Sequence, residues 1–205
     1  MSRRFPVPAA PHQFEFEIKR SRFLSLVERA VDREAAEAFI RKQRLAHPQA
    51  AHVCWAYIAG SPDTTVRSMS DDGEPSGTAG RPMLKVLEHS GIGEIVVAVV
   101  RYYGGIKLGT GGLQRAYSDA VTGALKELPT DLWVPRSQLT IEFDYAQESN
   151  VRHCLGQFDT DEPKIDYANQ VCIHFAIADS QKQQCLQALT DLCAGAIQIS
   201  EANKN

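Results

Sequence analysis

An apolar run from Ile95 to Val100 passes through Arg101-Tyr102-Tyr103 into a loop with five glycines between Gly104 and Gly112, and a long helical pattern leaves it. Gly104, Gly105, Gly109, Gly111 and Gly112 leave backbone N–H groups uncrowded by Cβ atoms and free to take φ > 0. The last two open a helix, whose N-terminus carries partial positive charge and unpaired donors. Arg101, Lys107 and Arg115 bracket the loop. This is a place to hold an anion, a phosphate foremost. The structural alternative is that the glycines serve close helix–sheet packing and the cations surface solvation. The segment is not a Walker A loop, since Lys107 sits between Ile106 and Leu108. Nor is it the dinucleotide fingerprint, because Gly109 and Gly111 are followed by Gln at position 114.

The helix after the switch has the cleanest pattern in the chain. Leu113, Ala116, Tyr117, Ala120, Val121, Ala124, Leu125 and Leu128 form an i, i+3, i+4, i+7 stripe, with Gln114, Arg115, Ser118, Asp119 and Lys126 opposite. Upstream, residues 14–27 read as strands around a basic Lys19-Arg20-Ser21-Arg22 step. Asp32 is a candidate N-cap for a helix through Leu45 that stops at Pro48. Ala51 to Ala59 reads as a strand and residues 60–81 as a long loop. Pro82 starts a short helix closed by Gly91.

Pro129 to Arg136 breaks the pattern and reads as a linker. Beyond it Leu139, Ile141, Phe143 and Tyr145 alternate with polar residues. A helical face at Val151, Cys154, Leu155 and Phe158 follows, then a hairpin around Asn169. Ser180 is placed to cap a helix ending at Gly195, and Ile197 to Ser200 is a last strand. The order β-α-β-β-α-β is the split-βαβ, ferredoxin-like arrangement. Two domains result, 1–134 and 137–205.

Net charge follows the same division. Through Arg136 there are 18 Lys+Arg against 15 Asp+Glu; the remainder has 4 against 10. If a polyanion is bound, the first domain should bind it. No apolar run approaches the ~20 residues of a membrane span, and the N-terminus has no apolar h-region. The five cysteines are widely spaced without CxxC, which favours reduced thiols in the cytoplasm and no zinc site.

Two further segments carry chemistry. Ser70-Asp71-Asp72-Gly73-Glu74-Pro75-Ser76-Gly77-Thr78-Ala79-Gly80 places three carboxylates within four positions. They suit Mg²⁺, a ribose or acid–base work, or simply a solvated turn with Asp capping. His52 and Cys54 share a strand face, but a Cys/His nucleophile needs an orienting partner and a depressed thiol pKa. Packing is the better reading of that pair. No GxSxG elbow exists either. Lys19, Arg20 and Arg22 with Phe23, and Arg101 with Tyr102 and Tyr103, mix cations with aromatics in a way that suits single-stranded or structured RNA, the alternative being an ordinary solvated edge.

Three motifs carry a family resemblance: Lys19-x-Ser21-Arg22-Phe23; Ser70-Asp71-Asp72-Gly73-Glu74-Pro75-x-Gly77-Thr78-Ala79-Gly80-x-Pro82; and Val100-Arg101-Tyr102-Tyr103-Gly104-Gly105-x-x-Leu108-Gly109-x-Gly111-Gly112-Leu113. In this order they resemble the bacterial branch of the IMPACT family, over nearly the whole chain. The resemblance implies an α+β protein with a two-layer α/β N-terminal domain similar to the second domain of ribosomal protein S5. It implies a C-terminal ferredoxin-like domain similar to those of translation elongation factor G. Both comparisons point to RNA or the ribosome, and the family adds a protein partner in translational regulation.

The expectation is a cytoplasmic, translation-linked binding protein without catalytic residues, cofactor or metal. It would hold RNA phosphates through Lys19, Arg20, Arg22, Arg101, Tyr102, Lys107, Arg115 and the glycines from Gly104 to Gly112. The alternative is an enzyme acting on a nucleotide or phosphorylated small molecule. There Asp71, Asp72, Glu74 and Thr78 would form a ligand loop, with Mg²⁺ entering only in that case. Geometry discriminates, because the enzyme reading needs the carboxylate loop to face the glycine loop across a pocket. A third possibility is an interaction module docking through the acidic second domain.

Overall fold

The computed structural model describes residues 4–201. They divide into two compact units, Phe5–Trp133 and a second one formed from Val134 onward together with Arg4.

The first unit is built on a five-stranded antiparallel sheet of order β2-β3-β6-β4-β5, with β2 at His12–Ile18, β3 at Ser21–Arg29, β4 at His52–Ile58, β5 at Arg67–Ser70 and β6 at Ile95–Tyr102. Strand β6 is central and buried from Ile95 to Arg101, because both sheet faces are covered. On one face lie α2 (Gly80–Ser90) and α3 (Thr110–Lys126), packed on Phe23, Val27, Ile58, Val97 and Val99. On the other lies α1 (Arg33–Ala46), whose Phe39 and Ile40 meet Val53, Tyr57, Val96 and Val100. Continuous hydrophobicity of β6 is the sequence trace of this double coverage. Each fully buried Val or Leu side chain contributes about 1.5–3 kcal/mol.

Helix α3 buries Leu113, Ala116, Tyr117, Ala120, Val121 and Ala124. The small residues let it approach the sheet closely, and Ser25 Oγ donates to Ala120 O at 2.9 Å between them. Helix α1 starts as its sequence predicts: Asp32 Oδ1 accepts from Ala35 N at 2.8 Å. Gly91 closes α2 in the left-handed conformation, φ +71°.

Three local expectations are corrected. The loop over 60–81 contains the edge strand β5, whose pairing with β4 compensates for its weak apolar alternation. Helix α2 begins at Gly80 rather than Pro82, because the Asp71 carboxylate accepts the Ala79 and Gly80 N–H groups. Within the expected linker, Thr130–Trp133 forms β7 and pairs with β1 (Phe5–Pro8); the Phe5 and Trp133 rings stack at 4.8 Å. This pairing joins the two ends of the unit, so no local window of sequence reveals it.

The second unit contains β8 (Arg136–Phe143), α4 (Glu148–Leu155), β9 (Lys164–Tyr167), β10 (Val171–Ala178), α5 (Lys182–Leu192) and β11 (Gln198–Glu201). Its sheet order is β11-β8-β10-β9, the ferredoxin-like arrangement. Leu139, Ile141 and Phe143 alternate with Ile173, Phe175 and Ile177 over a core closed by Val151, Leu155, Cys185 and Leu189. Ser180 does not cap α5: the cap position is Gln181, and Ser180 Oγ accepts from Arg4 at 3.2 Å.

Candidate functional site

The loop between β5 and α2 spreads its three carboxylates to three different tasks. Asp71 accepts backbone N–H bonds from Gly77, Ala79 and Gly80 at 2.8, 2.9 and 2.8 Å. Burial alone would push its carboxyl up, yet these donors outweigh burial and hold it below the usual carboxylate value. Asp72 turns the chain at φ +43°, accepts Val53 N at 2.8 Å and pairs with Arg44 at 2.5 Å. Thr78 is buried and donates to Pro75 O at 2.6 Å, which fixes the loop on itself. Asp71, Asp72 and Glu74 thus do not converge. No group of three or more His, Cys, Asp or Glu among the described residues is placed to hold a metal ion.

Glu74 turns inward, and its Oε1 accepts from Arg101 Nη1 at 2.6 Å and from the Tyr117 hydroxyl at 2.8 Å. The Tyr117 hydroxyl lies 3.3 Å from Cys54 Sγ, which also faces Asp71 O at 2.9 Å. Burial pushes the Cys54 thiol and the Tyr117 hydroxyl well up, so neither is an anionic nucleophile near neutrality. His52 packs on the same loop. Its Nδ1 lies 2.9 Å from Asp72 O, and a carbonyl only accepts, so Nδ1 carries a proton. That Nε2 is 3.9 Å from Glu74 Oε2.

The glycine loop meets the β2–β3 turn, where Lys19 and Arg20 both adopt positive φ. A Cβ on Gly104 would stand 2.0 Å from the Arg20 carbonyl, and Gly104 N donates to Ser21 Oγ at 3.2 Å. Glycine is required there by contact. Gly109, at φ +75°, starts α3 with no side-chain cap, leaving first-turn N–H groups available. Gly105 and Gly111 are exposed and Gly112 is half-buried.

Between these loops lies a cleft of about 510 Å³. Glu74 and Pro75 of the carboxylate loop and Lys107 to Thr110 of the glycine loop line it, together with His52, Arg101 and Tyr103. The carboxylate loop therefore faces the glycine loop across a pocket, through Glu74 rather than through all three acids.

Strand alternation divides the residues expected to bind phosphate. Arg101 points to the α2–α3 face, is buried, and has the Phe23 and Tyr103 rings at 5.5 and 5.4 Å. Its charge is matched by Glu74. Tyr102 points to the α1 face, beside His47, under the Arg22 guanidinium at 4.5 Å. Arg22 also pairs with Glu15 at 3.6 Å. Lys19, Arg20 and Lys107 are exposed at the rim formed by the two turns.

Arg115 belongs elsewhere, in a groove between α2 and α3 formed by two adjoining hollows of about 490 and 530 Å³ that share Pro82, Lys85 and Ser118. Arg81, Lys85, Arg115, His89 and Lys126 line it, and among the described residues no carboxylate does. Most other cations of the unit are paired: Arg29 with Glu94, Arg44 with Asp72, Arg67 with Glu88, Arg101 with Glu74. Arg81, Lys85 and His89, which the sequence reading did not single out, have the i, i+4, i+8 spacing of one helix face. The roles of His52, Tyr117 and Ser21 did not show in the sequence: His52 and Tyr117 read as packing, and Ser21 as part of the basic step between two strands.

Fold and site together define a two-domain α+β protein with a cleft between two loops and a basic groove on its first domain. Residues 19–125 match the Impact N-terminal domain, and residues 141–196 match a domain of unknown function, DUF1949. The chain belongs to the IMPACT family. It is 42% identical over 194 residues to IMPACT family member YigZ of Escherichia coli (strain K12), covering 94% of this chain and 95% of that protein. It is 33% identical over 192 residues to YvyE of Bacillus subtilis (strain 168), covering 92% and 87%. A crystal structure described as that of a hypothetical protein aligns over 100% of both chains, with 39% identity and a TM-score of 0.72. Among the described residues no helix is long and apolar enough to cross a membrane.

Proposed function

We propose that this protein binds RNA in a translation-linked, cytoplasmic role, with the N-terminal domain tracking the phosphate backbone. The observation that carries this reading is the α2–α3 groove. It gathers Arg81, Lys85, Arg115 and Lys126 without one carboxylate in its lining. Among the described residues these cations have no ion-pair partner, and Ser90, Ser118 and Thr122 line the groove with them. Cations spaced along a groove with hydroxyl donors suit a polyphosphate strand. Lys19, Arg20 and Lys107 extend positive charge at the glycine-loop rim. Arg101 contributes through structure, since Glu74 already takes its charge. The translation link rests on the resemblance of the two domains to those of ribosomal protein S5 and elongation factor G.

Fluorescence anisotropy with single-stranded RNA tests it. Lys85→Glu with Arg115→Glu should weaken binding by more than about tenfold and flatten the log K against log salt slope by about 0.7 for each phosphate no longer neutralised. Unchanged affinity in the double variant, or salt-insensitive binding by the native protein, removes the reading.

A further inference from the structure

The cleft between the loop at Glu74 and the glycine loop carries chemistry that backbone tracking in the α2–α3 groove does not use. At about 510 Å³ it falls within the roughly 300–1,000 Å³ of small-ligand sites. We propose that it binds one nucleoside monophosphate unit, the base against Tyr103, His52, Glu74 and Arg101 and the phosphate at Lys107 and the first turn of α3.

One unsatisfied polar group supports the base position. Arg101 is buried to 5% exposure, lines the cleft, and leaves its Nε–H without a partner. A buried donor in that state is destabilising until an acceptor reaches it. Beside it are Glu74 Oε2, an acceptor, and His52 Nε2, 3.9 Å apart. A donor next to an acceptor complements a nucleobase edge, where a ring nitrogen or carbonyl lies beside an N–H group. Tyr103 supplies a half-exposed ring, with the Arg101 guanidinium 5.4 Å from its centroid, as a surface for stacking. Pro75, Leu108 and Leu113 make the remaining wall apolar.

The anion end is separate. Lys107 is exposed and has no ion-pair partner among the described residues, while Gly109 leaves the α3 N-terminus uncapped by any side chain. An ammonium beside free first-turn N–H groups favours a phosphate monoester. A free nucleotide and the 5′-terminal nucleotide of an RNA share this chemistry.

Calorimetric titration of the full chain with AMP, GMP, CMP and UMP, with inorganic phosphate, and with an RNA oligonucleotide bearing a 5′-phosphate or a 5′-hydroxyl tests the proposal. At least one mononucleotide should bind in a one-to-one ratio below millimolar concentration, and inorganic phosphate should bind more than about tenfold more weakly. Lys107→Ala and Tyr103→Ala should each weaken the mononucleotide by about tenfold, with the melting temperature unchanged in Lys107→Ala. Displacement of the mononucleotide by the 5′-phosphorylated oligonucleotide but not its 5′-hydroxyl form assigns the RNA end; preference for the free mononucleotide assigns the free ligand. Absence of mononucleotide binding at millimolar concentration, equal affinity for inorganic phosphate, or indifference to both substitutions overturns it. The groove variant with Lys85→Glu and Arg115→Glu should retain mononucleotide affinity, so loss of RNA tracking and loss of the cleft ligand are read independently.

Discussion

Arg101 Nη1 donates to Glu74 Oε1 at 2.6 Å, which ties the central strand of the five-stranded sheet to the loop leaving its edge strand. Both side chains are almost wholly buried, at 6% and 3% exposure. Taking two charges out of water is costly, and their pairing, the Tyr117 hydroxyl and the Phe23 and Tyr103 rings offset that cost. The pair sets the depth of the cleft and fixes where Glu74 Oε2 stands.

Breaking the pair from one side should therefore be far worse than removing both charges. Arg101→Ala or Glu74→Ala should each cost about 3–5 kcal/mol, while Arg101→Met with Glu74→Leu should recover most of that loss. Urea unfolding of the three variants measures it. A double variant no more stable than either single one would show that the unpaired charge is not the cause.

Asp71 gives the fold an acid limb. Its folded pKa lies below the unfolded value, so its contribution is complete above the ordinary carboxylate value and is lost as pH falls through the depressed folded one. Asp71→Asn should cost about 0.5–2 kcal/mol at neutral pH, as loss of a helix cap does. Below the folded pKa the variant and the native protein should converge. Unfolding free energies measured across the acid range check this, and an equal difference at all pH values would contradict it.

Burial orders the thiols. Burial pushes Cys54 well up and Cys185 up to about 12, and Cys193 is buried as well. Cys154 and Cys172 are only half-buried. Iodoacetamide at neutral pH should label Cys154 and Cys172 first, with Cys54 modified only as the domain opens. Peptide mass spectrometry over a labelling time course reads the order. Cys54 reacting as fast as Cys172 would restore it as a candidate nucleophile.

Periodicity made much of this legible. The α3 stripe, the buried β6 and the alternation of β8 and β10 follow from side chains that pack on near neighbours, so local sequence reports them. Strands β1 and β7 stayed hidden because each exists only through the other, at opposite ends of the unit. At the site, the glycine loop and the carboxylate loop were visible as segments. Their division of labour was not: Asp71, Asp72 and Glu74 look alike in sequence, and only the third dimension sends them to a helix start, a strand and a buried arginine. Strand parity did separate Arg101 from Tyr102 in principle, since adjacent residues of a strand face opposite ways. The cations of the groove carried a periodic signal on α2 that needed α3 beside it to acquire meaning.

Gly104 and Gly111 belong to the same glycine-rich stretch but answer to different causes. A Cβ at Gly104 would sit 2.0 Å from backbone atoms of Arg20, which the β2–β3 turn can relieve only by moving. At Gly111 a Cβ would meet nothing within 4 Å, and the residue lies in the first turn of α3. Gly104→Ala should destabilise by about 1–3 kcal/mol, the range of overpacked sites, and broaden the amide signals of Lys19 and Arg20. Gly111→Ala should be neutral or stabilise by up to about 1 kcal/mol through helix propensity. Thermal melts of the two variants decide the matter. Similar losses at both positions would mean that the loop needs glycine throughout for its conformation, and not at one point of contact.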